Sequence, residues 1–129
     1  MYPEELLYTQ DHEWIRVDGA TASIGITDHA QKELGDIVFV ELPQLGAHVT
    51  AKESFGTVES VKAVADVYSP VTGEVTSVNP KIQQTPELLN SDPHGEGWLI
   101  QVELKDRSQT ESLMTSEEYE AYLKKGSAN

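Results

Sequence analysis

Lys62 stands in the run Gly56-Thr57-Val58-Glu59-Ser60-Val61-Lys62-Ala63-Val64-Ala65-Asp66, where two short β-prone segments meet at a turn. Val58 and Val61 suit the first arm, Val64 and Val67-Tyr68 the second, and Ser69-Pro70 ends the second by removing an amide donor. A turn lysine is ordinarily a solvated charge. At a turn tip between paired strands its amine is also a handle that an attaching enzyme can approach from several sides. Acylation requires the neutral amine, a small fraction at pH 7 for a solvated lysine. Glu59 and Asp66 favour the charged form wherever they lie close. The base must therefore come from the attaching enzyme, and the stretch does not read as a self-sufficient catalytic lysine.

The remaining candidates for chemistry are sparse. His12, His29, His48 and His94 are dispersed along the chain, and no nucleophile, base and oxyanion set accompanies them, which argues against a hydrolase. His12-Glu13 and Asp28-His29 offer ligand types for a metal, but dispersed pairs of this kind are more often surface hydrogen-bonders; no metal is expected. Cysteine is absent, which removes disulfides, thiolate zinc sites and a thiol nucleophile. Any sulfur redox chemistry must come from an attached group.

Composition narrows the classes further. A net charge of −13, with nine Lys and Arg scattered along the chain, opposes binding to a phosphate backbone, so no nucleic-acid partner is expected. The same acidity keeps a small protein soluble and can steer it toward basic patches on larger partners. No apolar run approaches the length that spans a bilayer, so no membrane partner is expected. Met1-Tyr2-Pro3-Glu4-Glu5 is acidic and lacks a basic n-region and an apolar h-region, which points to the cytoplasm, or to the mitochondrial matrix for a processed form. A chain of 129 residues suits one compact core, read here as a single domain.

The elements around Lys62 read mainly as strands. Tyr8 to Val17 leads into a strand, and Asp18-Gly19 is a turn signal before Ala20 to Ile26. Thr27 or Asp28 can cap a short helix through Leu34, with Gly35 placed to stop it. Asp36 to Leu42 carries apolar residues on both faces and reads as a buried strand closed by Pro43. Gly46 to Val49 is a short extended piece, and Gly73 to Val78 alternates cleanly until Asn79-Pro80. Lys81 to Gly97 reads as loop-rich, and Trp98 to Leu104 as the last strand. Short helices follow, with Ser116 as a cap ahead of Glu117-Glu118. The expected layout is a β core over about 13–105 and a helical segment over about 108–125. An internal echo pairs Gly35-Asp36-Ile37-Val38 with Gly73-Glu74-Val75-Thr76, and Gly56 to Val61 with Gly97 to Val102. Many short strands with such an echo fit two facing antiparallel sheets.

Read together, His12-Glu13-Trp14, Gly25 to Gln31, Leu34 to Pro43, Glu59-Ser60-Val61-Lys62-Ala63, Ser69 to Val75, Val78-Asn79, Pro86 to Asn90 and Gly97-Trp98 resemble the glycine cleavage system H proteins over nearly the full chain. Motifs in this order are specific, whereas Val-Lys-Ala alone would mean nothing. Biotin carriers share a similar fold but typically flank the modified lysine with methionines, where this chain has Val61 and Ala63. The resemblance implies a lipoyl/biotinyl-domain-like β-sandwich, a barrel-sandwich hybrid, with added terminal helices. It also implies lipoic acid in amide linkage on Lys62.

On that resemblance the chain is a non-catalytic carrier and a monomer. Its arm would visit a pyridoxal-phosphate glycine decarboxylase (P protein), a tetrahydrofolate-dependent aminomethyltransferase (T protein) and a flavin dihydrolipoyl dehydrogenase (L protein), after acylation by a lipoate-attaching enzyme. A lysine stem plus an extended lipoyl chain spans roughly 15 Å, enough to enter a partner's cleft or to fold back. In the family a glutamate of the His-Glu-Trp segment, here Glu13, lies by the cleft that receives the aminomethylated arm. The expected role is pairing with the ammonium end, since a free lone pair would let water split the thioaminal into thiol, formaldehyde and ammonia. Asp66 is a second contributor to that cleft, and Glu59, just before the lysine, is a candidate for recognition by partner or ligase. Two rivals stay open: a relay that hands lipoate to 2-oxoacid dehydrogenases, and an unmodified interaction module.

Overall fold

A computed structural model describes residues 2–127 and contains two antiparallel sheets and several short helices. The larger sheet has six strands in the order β1 (Leu7–Tyr8), β2 (Glu13–Asp18), β3 (Thr21–Ile26), β9 (Ile100–Leu104), β8 (Gly73–Val78) and β5 (His48–Val49). The smaller joins β4 (Ile37–Glu41), β6 (Ser54–Ser60) and β7 (Val64–Tyr68) in that order. Apolar residues alternate inward along most strands, so Ile15, Ile24, Val75, Ile100 and Val102 of one sheet meet Val40, Val58 and Val67 of the other in one core. This is the expected lipoyl-type sandwich. The echoed segments fall on β4 and β6 in one sheet and on β8 and β9 in the other, and each couple is an antiparallel pair.

Several local expectations are corrected. β4 is not buried on both faces: Val38 is 49 % and Phe39 55 % exposed. A register shift between Ile37 and Phe39 turns Val38 out of the alternation, and the outer face of this small sheet is left uncovered at that point. The segment expected as loop holds two short helices, α2 (Pro80–Gln84) and α3 (Leu88–Ser91). Asn79-Pro80 ends β8 as expected but also starts α2, because Asn79 Oδ1 accepts the Lys81 amide and Pro80 suits the first helical turn. The last strand starts at Ile100, two residues later than read from Trp98.

A 3-10 helix over Arg107–Ser112 precedes α4 (Ser116–Ser127). Thr115, not Ser116, caps α4: its hydroxyl accepts the Glu118 amide at 3.2 Å while the Glu118 carboxylate accepts the Thr115 amide at 2.9 Å. Tyr119 of α4 is fully buried and stacks on Tyr8 at 4.8 Å between centroids, in a second apolar cluster with Leu6 and Trp14. Trp14 packs flat on Gly25, where a Cβ would lie 2.7 Å from the indole, and its Nε1 donates to Pro93 O. Only glycine permits that approach.

Candidate functional site

The β6–β7 turn is held by Ser60, a buried residue at the end of β6. Its amide donates to Ala63 O at 2.8 Å, and its Oγ accepts the amides of Lys62 and Ala63 at 3.2 and 3.1 Å. Local side-chain bonding of this kind lets the backbone reverse with its donors satisfied. Val61 lies in the turn and not in the first arm; it is 70 % exposed, and its amide donates to Asp36 O at the head of β4. Lys62 is exposed beside it.

The Lys62 stem has a neighbour across the structure. α1 (Asp28–Leu34) is capped by Thr27, whose Oγ1 accepts the Ala30 amide, and it ends at Gly35 with φ of +82°. A Cβ on Gly35 would lie 3.6 Å from Lys62 Cε, so the stem rests over the α1–β4 corner. Asn90 of α3 ties that corner together: its Nδ2 donates to Gln31 Oε1 and to Gly35 O, and its Oδ1 accepts the Ile37 amide, each at 2.9 Å. Nothing in the sequence around Asn90 marks this role beyond its place in the Pro86 to Asn90 motif.

Leu34, next to Gly35, lines a cleft of about 200 Å³ between α1 and β7. Its walls are apolar, with Ile26, Leu34, Val58 and Val67, and Asp11, His12, Glu13, Glu33 and Asp66 add ionisable groups. Glu13 is 3 % exposed. Its Oε1 receives the Thr9 hydroxyl at 2.6 Å and its Oε2 the Tyr68 amide at 3.1 Å. Burial pushes its carboxyl up to about 7, against the two hydrogen bonds that favour the charged form, with Asp11 pushing it further up. The family resemblance implied a cleft beside Glu13; in this chain the residue is buried and accepts two hydrogen bonds at the cleft lining. Glu13 also borders a second cavity of about 350 Å³, lined by Thr9, Lys52, Tyr68 and Met114 among others.

Asp66 lies on β7 at the same cleft as Glu13; it is exposed and accepts a hydrogen bond from Ser54 Oγ at 3.1 Å. Glu59 is not part of that cleft lining. It pairs in register with Phe39 on one side and Val64 on the other, and all three are exposed. Glu13 and Asp66 line the cleft between α1 and β7; Lys62 does not line it but lies over Gly35, next to the lining residue Leu34, and Glu59 belongs to the outer surface of the small sheet.

The histidines are less dispersed than their spacing suggested. His12 and His29 face each other with ring centroids 4.4 Å apart, and His12 Nδ1 lies 2.7 Å from the Tyr119 hydroxyl. Burial and His29 lower the His12 imidazole, whereas Glu33 and Asp11 oppose them. His94 Nε2 accepts the Asp28 amide, and burial lowers that imidazole too, against Asp28 and Asp92. Among the described residues no group of three or more His, Cys, Asp or Glu is arranged to hold a metal ion.

Comparison with known proteins settles the family. The glycine cleavage H-protein model matches residues 6–126. The chain belongs to the glycine cleavage H-protein family. It is 58 % identical over 117 residues to the glycine cleavage system H protein of Rubrobacter xylanophilus, covering 91 % of this chain and 90 % of that one. It is 55 % identical over 121 residues to that of Halothermothrix orenii, covering 94 % of each. The crystal structure of the H protein from Mycobacterium marinum superposes with a TM-score of 0.87 at 39 % identity, over 95 % of this chain and 98 % of that one. H proteins are the lipoyl-bearing shuttle of the glycine cleavage system, a carrier component that works with the other components of that system, and the expected fold and function stand. No helix among the described residues is long and apolar enough to cross a membrane.

Proposed function

We propose that Lys62 carries lipoic acid in amide linkage, and that the chain shuttles the aminomethyl group of glycine without catalysing a step itself. Bound there, a lipoyl group supplies a dithiolane that can be opened, loaded and reoxidised. The observation that carries the reading is an exposed turn lysine whose stem lies over Gly35, next in the chain to Leu34, which lines an apolar cleft together with the buried Glu13 carboxylate. The donor set fits the group: an accessible amine, apolar walls for an alkyl chain, and an anion for the ammonium that aminomethylation adds.

In this reading Ser60 holds the turn so that an attaching enzyme meets Lys62 in one pose. Leu34, Val58 and Val67 exclude water from the returning arm, and Glu13 pairs with its ammonium end. Charge pairing in such a shielded cleft is worth far more than in bulk water. Asp66, at the same cleft but exposed, contributes less. Glu59, flanked by exposed Phe39 and Val64, serves recognition by the attaching enzyme or a partner. The partners are the pyridoxal-phosphate decarboxylase, the folate-dependent aminomethyltransferase and the flavin dehydrogenase, met in the cytoplasm by a monomeric carrier acting as one domain.

Intact and peptide mass after expression with lipoate supplied tests the modification, with a single lipoyl increment on the Lys62 peptide expected. Glycine-dependent exchange of bicarbonate with the purified decarboxylase then separates a shuttle from a relay. A lipoylated protein that supports no exchange would overturn the shuttle reading.

A further inference from the structure

Thr9 is the hub of the loop that turns Glu13 inward. Its amide donates to Glu13 O at 2.9 Å, its carbonyl accepts the His12 amide at 3.2 Å, its hydroxyl accepts the Glu13 amide at 3.1 Å, and the same hydroxyl donates to Glu13 Oε1 at 2.6 Å. The loop closes so tightly that His12 takes a φ of +70°, a conformation that a non-glycine residue holds only where its surroundings dictate it. Closing the loop needs the first three bonds. The fourth, to the carboxylate, serves no backbone group.

We propose that Thr9 is a positioning residue for the cleft carboxylate: its hydroxyl ties down one oxygen of Glu13, so that the side chain meets the arm's ammonium in one rotamer and in its charged form. The inference rests on the pairing role given to Glu13 above. Among the described residues the carboxylate has two donors, and the other is the backbone amide of Tyr68. Thr9 is therefore the donor that a side-chain change can remove. A hydroxyl at 2.6 Å from a buried carboxylate is a charge-assisted bond, roughly twice as strong as a neutral one. It opposes the desolvation that favours the protonated acid.

The groups facing Glu13 cannot replace it. Asp11 on the same loop, Glu33 on α1 and Asp66 on β7 share the cleft and are acids, which disfavour a further negative charge. His12 lies there too, held toward its neutral form by burial and by His29. Lys52 borders the second cavity and is exposed to solvent. Thr9 and Tyr68 are left to hold the charge.

Two readouts on Thr9→Val and Thr9→Ser, with Glu13→Gln as reference, test this. In the unmodified protein, carbon NMR of the Glu13 carboxyl follows its titration. We expect the midpoint to move upward in Thr9→Val by about half a pH unit or more, and Thr9→Ser to titrate like wild type. In the lipoylated and aminomethylated protein, formaldehyde release is followed from pH 6 to 9 without folate or transferase. Release needs the neutral amine, so a weaker ion pair moves its rise to lower pH. Thr9→Val should lie between wild type and Glu13→Gln, and Thr9→Ser on wild type. A merely structural role would raise release at every pH without moving the midpoint. An unmoved carboxyl titration in folded Thr9→Val overturns the proposal, as does a release profile that moves in Glu13→Gln and not in Thr9→Val. If Glu13→Gln itself leaves release unchanged, the pairing role falls and the proposal with it, even where the carboxyl titration has moved. Should Thr9→Val not fold, Thr9→Cys, whose thiol is a weak donor, takes its place.

Discussion

The Glu13 carboxylate and the Tyr68 amide, 55 residues apart in the chain, meet at 3.1 Å across the two sheets. Glu13 opens β2 of the larger sheet and Tyr68 closes β7 of the smaller one, so this bond ties the cleft to the strand that descends from the Lys62 turn. A change at Glu13 therefore reaches both the cleft's charge and the end of the carrier hairpin.

Lys62→Arg should abolish lipoylation, read as loss of the lipoyl mass increment, with no transfer to another lysine. Lys81 is tied to Glu96 at 3.1 Å, and Lys52 sits in a tight turn with φ of +73°, away from the hairpin tip. The fold should stay within about 0.5 kcal/mol of wild type, because an exposed turn substitution touches no buried contact. A lipoyl group found on Lys52 or Lys81 would refute the assignment.

Glu13→Gln should accept lipoate normally and release formaldehyde faster once aminomethylated. Its stability carries a separate signature. Burial raises this carboxyl from 4.5 to about 7, so the folded state binds the proton more tightly than the unfolded chain does. The stability this contributes is fully present below the unfolded value and is lost as pH rises through about 7. Glutamine does not titrate, so the melting temperature of the variant should rise relative to wild type between pH 4.5 and 8. The span should not exceed about 3 kcal/mol. A difference that is flat with pH would contradict the burial argument.

Glu59→Gln should slow lipoylation or aminomethyl loading while leaving the melting temperature unchanged, since the side chain is exposed and makes no buried contact. The effect should shrink as salt is added, as expected for a surface charge. Unchanged kinetics at low salt would assign Glu59 to plain solvation.

Asn90→Ala should destabilise by about 1–3 kcal/mol, because it strips partners from the Ile37 amide and the Gly35 carbonyl at one corner. The same corner supports the Lys62 stem, so lipoylation should slow beyond what the loss of stability explains. Urea unfolding and initial lipoylation rates on the same samples separate the two effects. Gly35→Ala should act at the same place through strain, since its φ is +82° and the new Cβ would touch the lysine stem.

Much of this was decided locally and was therefore legible in the sequence. The alternation of Gly73 to Val78, the turn at Asp18-Gly19, the Thr27 cap and Gly35 stop of α1, and the exposed lysine turn follow from residue types and short spacings. The order of motifs from His12-Glu13-Trp14 to Gly97-Trp98 was enough to indicate the family. Tertiary structure decided the rest. Val38 and Phe39 look like core in sequence, and only the uncovered face and the register shift at Ile37 leave them exposed. Glu13 looks like a surface acid at a strand start, and the closing of the Thr9 loop against Tyr68 buries it. His12 and His29 lie 17 residues apart yet face each other, because Thr27 N donates to His12 O and brings the head of α1 beside the loop. Asn90 reaches back 55 residues to hold the corner under Lys62. Such contacts depend on how the two sheets and the helices pack against one another, and the chain's local preferences do not encode contacts over that distance.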